Sequence, residues 1–596
     1  MTTRALQSCS RRTVLSLLAG GMLVMPGCVS SWFHDEEDIP VVDNSPAEWE
    51  LSRVVGDLSV PVGLNTAKIQ GVSMVAGLDN TGSDPPPSPL QEALINEMRI
   101  RKIANPNTEL ASPRTSLVVA EAFIPPGARA GQRVDIRVVA PRDSETTSLA
   151  GGWMLEVSLS ESAVLEGRLR TGETFARGYG AVLTDDIREG REDSELLRKR
   201  GLILGGGLLK KDRPIGLAMR ADDVSIQASA RVGQAINARF FSYQNGGGKT
   251  GVANPVDDKR VELRVHPKYY DNVRRFVRVV RYIPIGDTTE ERLQRIQNAE
   301  AELMIPESAE SAAMKLEALG KDSLDSLKKG LVSKSPLVRF SASEALAYLD
   351  DPAALPGLTE AARSESEFRH RAYLAMGTLD DLAVIDELEG LLHCESAEAR
   401  YGAFETLLKK TGKSPIVRGI DMKGKFVFHP VRSNATPLIH FRLTERAEVV
   451  VFGDNIPVRT DCVLLMPKGL TITGTPDGKI KVTRVVAGQE SRAFMCEPSV
   501  GEVIKGVVDA DGDYPEVMKV IYSLKQQGTI DARVESDSLA HSDRVYYLDR
   551  EEGIDSDYSA DEELEDEAVE EDTEAAESEE FVASEKSGEK TWWRFW

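Results

Sequence analysis

The sequence predicts a multidomain α+β protein: a mixed α/β domain, an α-helical solenoid, a β-rich C-terminal domain and a disordered acidic tail. Three observations predict it. The chain has 596 residues, whereas single hydrophobic cores stop growing at about 250–300 residues. Period-two alternation of apolar and polar residues, the mark of half-buried strands, runs through Leu117–Leu159 and returns after Lys425. Between these stretches three segments repeat at offsets of 30 and 31 residues with helical spacing, the pattern of stacked helix pairs. Charge sets the tail apart. Of a net −23, −16 falls between Glu551 and Trp596, where 19 acidic residues face 3 basic ones. The first 550 residues are left with −7, no electrostatic footprint for nucleic acid.

Residues 1–28 read as an export signal. Arg11-Arg12 precede an apolar run, Val14–Met25, whose 12 residues are too few to span a bilayer. The paired arginine resembles a twin-arginine signal. Met25-Pro26-Gly27-Cys28 resembles the lipobox of bacterial lipoproteins. That resemblance implies acylation of Cys28, a membrane contact through a lipid anchor at the outer membrane, and a periplasmic mature protein. An ordinary cleaved signal with an incidental cysteine is the other reading. Residues 29–50, acidic and proline-containing, read as a tether.

Residues 51–286 read as the mixed α/β domain. Val75–Gly82 is a glycine-rich turn segment, and Ser88-Pro89-Leu90-Gln91 starts a helix with a capping serine, a first-turn proline and a capping-box glutamine. Leu90, Leu94, Ile95 and Met98 share one face of that helix. Val119 and Phe123, then Val134, Ile136 and Val138, supply the alternation of the next strands. Pro125-Pro126-Gly127 and Ala130-Gly131-Gln132 place turns between them. Gly205–Gly207 and Gly246–Thr250 are expected as loops. The second fails as a phosphate loop because Tyr243 stands at the first glycine position and no helix follows. Val224, Ala228, Val232, Ile236 and Phe240 form a helical stripe; Val261, Leu263 and Val265 alternate; Val273, Phe276, Val277 and Val280 form a second stripe. His266-Pro267 ends the strand, and the histidine reads as a surface or capping residue.

Two separated motifs here, Gly131-Gln132-Arg133-Val134-Asp135 and Ser148-Leu149 with Gly151-Gly152, resemble the bacterial flagellar basal-body P-ring protein family in order and spacing. Gly77–Gly82, with Asn80 at a family glycine position, and Ala235-Ile236-Asn237 extend the resemblance to about 51–286. It implies a structural protein that associates with itself into a periplasmic ring around the rod. Its implied partners are flagellar rod and L-ring proteins, and it needs no cofactor or catalysis.

Residues 290–412 read as HEAT-like helical repeats. Val338–Ala342, Phe368–Ala372 and Ala399–Ala403 align, each with an arginine at its second position: Arg339, Arg369 and Arg400. Such arginines are expected to bond neighbouring repeats, and the array to present a docking surface for a protein partner.

Residues 413–548 return to strands at Lys425–Phe428, Ala447–Phe452, Cys462–Met466, Leu470–Ile472, Lys479–Val485 and Phe494–Met495, with one helix over Pro515–Gly528. Asp509–Asp513 reads as a turn and not a calcium loop, since Tyr514 and Val520 stand where the loop needs glycine and glutamate. Cys462 and Cys496 are a possible disulfide in an oxidising compartment. Residues 549–596 are too acidic to fold alone. Trp592, Trp593, Phe595 and Trp596 are candidate partner-docking or interfacial residues.

No metal-ligand spacing and no nucleophile–base constellation stands out, so no enzyme, cofactor or metal is expected. The leading reading is a P-ring component of the basal body. Its alternative is an envelope-anchored protein-binding scaffold that reuses the P-ring fold with its repeats as docking surface.

Overall fold

The alternation around residue 120 closes into a barrel. A computed structural model describes residues 51–165, 168–189, 194–243, 248–412, 414–485 and 491–540. The signal with Cys28, the tether, and the tail with its four aromatics lie outside the described residues. β1 (Ser59–Val62) belongs to a second sheet. β2 (Ala67–Ala76), β3 (Thr115–Ile124), β4 (Arg133–Val139), β5 (Trp153–Leu165), β6 (Arg168–Ala181) and β8 (Arg200–Leu209) lie in the order β4-β3-β2-β5-β6-β8, and β7 (Leu183–Thr184) flanks β8. β4 also pairs with β8, which closes the antiparallel ring and removes its edges. Ile69, Val118, Ala120, Ile136, Val138, Leu159 and Ile203 fill it.

The barrel corrects two expectations. In β3 the inward residues are Val118, Ala120, Ala122 and Ile124, while Phe123 is 51% exposed. The opposite parity looks apolar because the outer face of the same sheet is also covered. Helix Pro89–Ile100 lays Leu94 and Met98 over Met74 and Leu117 there. Gly205–Gly207 are strand, not loop: they lie inside β8. A Cβ on the facing Gly178 would fall 2.1 Å from Ile136 Cδ1 and 2.9 Å from the Gly206 carbonyl. The register of β4 on β8 slips between Val134 and Ile136, so the glycines form a barrel corner where backbones approach closely.

Gly82 is a tighter case. A Cβ there would sit 2.0 Å from the Thr115 carbonyl oxygen, which belongs to backbone that cannot swing away. Gly82→Ala should therefore destabilise the barrel by about 2–3 kcal/mol. The shift of the urea midpoint measures it, and a shift below about 0.5 kcal/mol would contradict the clash. The helix start at Ser88 forms with one change. Ser88 accepts from the Gln91 amide at 3.2 Å, but the Gln91 side chain donates to the Pro85 carbonyl instead of completing the box.

β9 (Ile215–Met219) pairs with β1, and β12 (Ala253–Pro255) and β13 (Arg260–Leu263) complete that sheet in the order β1-β9-β13-β12. β10 (Phe241–Tyr243) and β11 (Lys249–Gly251) form a hairpin. Helices Ile226–Arg239 and Val273–Arg281 cover the sheet through Val232, Ile236, Phe276, Val277 and Val280, as their stripes require. His266 caps the short turn after it, its Nδ1 accepting from the Lys268 amide.

The apolar core does not stop near residue 286. It continues from Val261 and Phe276 through Ala313 and Leu316 into the repeats, and ends on Val450 and Phe452 of the third region. Each repeat motif opens an inner helix (Pro336–Tyr348, Ser366–Thr378, Ala397–Thr411), preceded by a partner (Leu324–Gly330, Leu355–Ser364, Ala383–Leu391). The repeat arginines mostly bond within their own repeat, not across. Arg339 donates to the carbonyls of Ser333 and Lys334, and Arg369 to those of Ala362 and Arg363. They satisfy the carbonyls left open where the preceding helix ends. Only Arg369 also reaches the next repeat, at Glu398. Arg400, fully buried, reaches out of the array to the Thr436 carbonyl.

The third region is more helical than its sequence suggests. β14 (Ile420–Asp421), β15 (Val427–Val431), β16 (Leu438–Arg442), β17 (Glu448–Phe452) and β22 (Arg533–Ser536) form a mixed sheet, in which β15–β17 and β16–β22 are parallel. β18 (Val463–Leu465), β19 (Leu470–Gly474), β20 (Ile480–Arg484) and β21 (Arg492–Cys496) form an antiparallel one. Besides the expected helix, observed over Tyr514–Gln526, a second spans Val500–Asp509, with Val500, Val503, Ile504, Val507 and Val508 buried. Cys462 and Cys496 are both buried and free. Cys462 lies opposite Gly474, Gly474 opposite Ile480, and Ile480 opposite Cys496. In the order of that sheet β19 and β20 lie between β18, which follows Cys462, and β21, which ends on Cys496.

Candidate functional site

The surface with the most chemistry is a groove where the three regions meet. One wall is the inner helices of the array. The second is the turn after β3 together with the segment from Pro267 to Arg278. The third is β16 with the segment at Leu539-Ala540. It has two lobes, about 790 and 740 Å³, which share Asp271, Asn272, His370 and Leu374. Nine Lys or Arg side chains line the two lobes against six Asp or Glu, in a chain whose folded part is net acidic.

The cations differ in what they do. On Val273–Arg281, residues 274, 278 and 281 face solvent at helical spacing, while Arg275 turns inward. Arg278 pairs with Glu310 at 2.8 Å. Arg274 has no ion pair among the described residues, and Arg129 stacks on the Tyr270 ring at 3.5 Å. At the other lobe Lys268 pairs with Asp350, and Lys409 with Asp271 and Glu405. Lys410 donates to the Gly377 and Leu379 carbonyls, and burial pushes its amine below the ordinary value. Burial likewise lowers His370.

Two buried charge networks hold the walls together. On one side Glu317 accepts from Arg275 and from the Tyr269 hydroxyl, and Arg275 also pairs with Glu344, which Arg371 shares. This joins the second-sheet subdomain to the array. On the other side Glu448 accepts from Tyr401 of the last repeat at 2.9 Å and from Arg446 at 2.8 Å, with His429 at 3.4 Å. Burial opposes ionisation of Glu448, yet its bonds to His429 and Arg446 bring it down to about 2. His440 stacks on Tyr401 at 3.9 Å between centroids, and burial takes it down to about 3. These groups have partners and little exposure; they fix geometry. Among the described residues no cluster of three or more His, Cys, Asp or Glu is placed to hold a metal.

None of the site residues expected from sequence lies in the groove. Cys462 and Cys496 sit in the core of the third region, and Cys28 and the terminal aromatics are outside the described residues. The signal the sequence does carry is the 274/278/281 arginine spacing beside a stripe of valines, which marks one helix face as basic. Away from the groove, Trp153, Leu155 and Tyr179 are exposed on the barrel wall, with Trp153 and Tyr179 in contact (ring centroids 6.3 Å apart).

Residues 54–301 match the family model of the flagellar P-ring protein, and residues 324–409 match that of HEAT repeats. The first match takes in the barrel, the second sheet and most of helix Thr289–Leu303, so it runs past residue 286. A flagellar P-ring protein of Thermotoga maritima is 26% identical over 248 residues, 40% of this chain and 68% of that one. That of Thermotoga petrophila is 27% identical over 253 residues with the same coverage. That of Geotalea uraniireducens is 25% identical over 240 residues, covering 39% and 60%. About three-fifths of the chain lies beyond the P-ring match. No helix among the described residues is long and apolar enough to cross a membrane.

Proposed function

We propose, from the similarity of residues 54–301 to flagellar P-ring proteins, that the chain is a structural component of the bacterial flagellar basal body. It forms or contributes to the periplasmic P-ring around the rod, by lateral packing of identical subunits into a closed ring. That similarity, spanning the barrel and the second sheet together, is the observation that carries the proposal. The exposed Trp153, Leu155 and Tyr179 supply an aromatic, apolar patch of the kind that subunit contacts use. Rod and L-ring proteins are its partners, it acts without catalysis, and acylated Cys28 holds it at the outer membrane. A chromosomal deletion should abolish swimming and leave purified basal bodies without the ring on electron micrographs. Intact rings with normal swimming would overturn the assignment. Labelled palmitate should enter the wild-type chain but not Cys28→Ser; an unlabelled wild type would remove the anchor.

A second reading is favoured by one specific observation. The array and third region share a core with the matched domain, so they are built in and not merely appended. In that reading the chain is an envelope-anchored scaffold that binds a protein partner through the repeats. Intact rings in the deletion strain would favour it.

A further inference from the structure

The described chain stops inside the groove. Leu539 packs against the core shared by array and third region, and Ala540 lines the first lobe. The Ala540 backbone is hydrogen-bonded to His370, a residue that lines both lobes. The chain therefore leaves at the junction of the lobes, and the ten residues 541–550 could span about 33 Å if extended. The next thirty residues are chemically one-sided: between Glu551 and Glu580, 17 of 30 residues are Asp or Glu and none is basic. Within that reach stand Arg129 and Arg274, which have no ion pair among the described residues, and the Lys409 and Arg278 heads at the rim.

We propose that the acidic segment 551–580 occupies the groove of its own chain, as a tethered anionic ligand covering Arg129 and Arg274. Three things select this occupant over an outside one. The exit point is already in the groove, so the segment is present at high effective concentration. The cationic excess of the lining is matched by a segment without a single cation. No other stretch of the chain carries such a charge. The contact is internal to one chain and does not depend on ring assembly.

The test uses the full chain, a variant lacking 551–580, and a fluorescein-labelled synthetic peptide of residues 551–580 followed by anisotropy at low salt. The deletion variant should bind the peptide at least roughly tenfold more tightly than the full chain, and lose roughly tenfold on raising NaCl several-fold. Arg129→Glu with Arg274→Glu, in the deletion variant, should weaken binding by a similar factor with the melting temperature unchanged. Equal binding by full chain and deletion variant, or by the charge-reversed variant, would overturn the proposal. So would a full chain whose self-association disappears on deleting 551–580, since the segment would then sit in a neighbour's groove.

Discussion

Replacing Glu317 by glutamine is expected to destabilise the protein by about 3–5 kcal/mol, because it leaves Arg275 charged and buried with half its partners gone. Glu317 has no exposed surface, and its two oxygens are taken by the Tyr269 hydroxyl and the Arg275 guanidinium, each at 2.5 Å. Burial opposes the charge on Arg275, yet the Glu317 and Glu344 carboxylates outweigh it and hold the guanidinium above its ordinary value. A double variant supplies the control. Glu317→Gln combined with Arg275→Met removes both charges, and should recover part of the loss, since replacing a whole buried pair is far cheaper than breaking it. Urea unfolding of the two single variants and the double variant measures the coupling. A single-variant cost under about 1 kcal/mol would mean the network is solvated and does not weld the two regions. Because the apolar core crosses the same junction, the matched domain and the array should unfold in one transition.

Acidification should loosen the other junction. Glu448 is held at about 2 against an ordinary 4.5. Its stabilisation is thus complete above about pH 4.5 and is lost as pH falls through about 2. The size is about 3 kcal/mol, since each pH unit between the two values is worth about 1.4 kcal/mol. His440 acts in the same direction from a higher start. Burial takes it from 6.5 to about 3, so the unfolded chain binds its proton first throughout that interval and stability falls as pH drops. Stability should therefore decline steadily from about pH 6.5 to pH 2, the upper part owed to His440 and the lower to Glu448. Glu448→Gln should be less stable at pH 7, and its deficit should shrink below pH 4.5. A deficit that stays constant from pH 7 to pH 3 would contradict the assignment.

Much of this architecture is legible in the residues. The Ser88-Pro89 helix start, the Val232–Ile236 and Phe276–Val280 stripes and the repeat offsets are local patterns, and each becomes the element it implies. The turns at Gly127, Gly131 and Gly151 all carry positive φ, between 68° and 86°, where glycine is the residue that fits. Legibility fails where an element answers to something distant. Alternation alone puts Phe123 on the wrong face of β3, because helix Pro89–Ile100 makes both faces apolar. Gly205–Gly207 look like a loop until β4 arrives across the barrel. Helix Val500–Asp509 has valines at helical spacing, yet the strands on its N-terminal side mask that period. Arg400 belongs to a repeat by spacing, yet its guanidinium bonds Thr436 of the next region.

The groove follows the same division. Sequence alone determined that an apolar stripe marks Val273–Val280 as a helix, that a repeat array comes after it, and that an acidic segment lies beyond both. Periodicity states that a face is apolar or charged, and nothing in it names what will cover that face. Only the tertiary structure decided that the arginine face, the inner helices and the Leu539-Ala540 exit border one cavity. The reason is that buried charges tolerate burial only with partners, and the long-range ones, Arg275 for Glu317 and Tyr401 for Glu448, set how the regions meet.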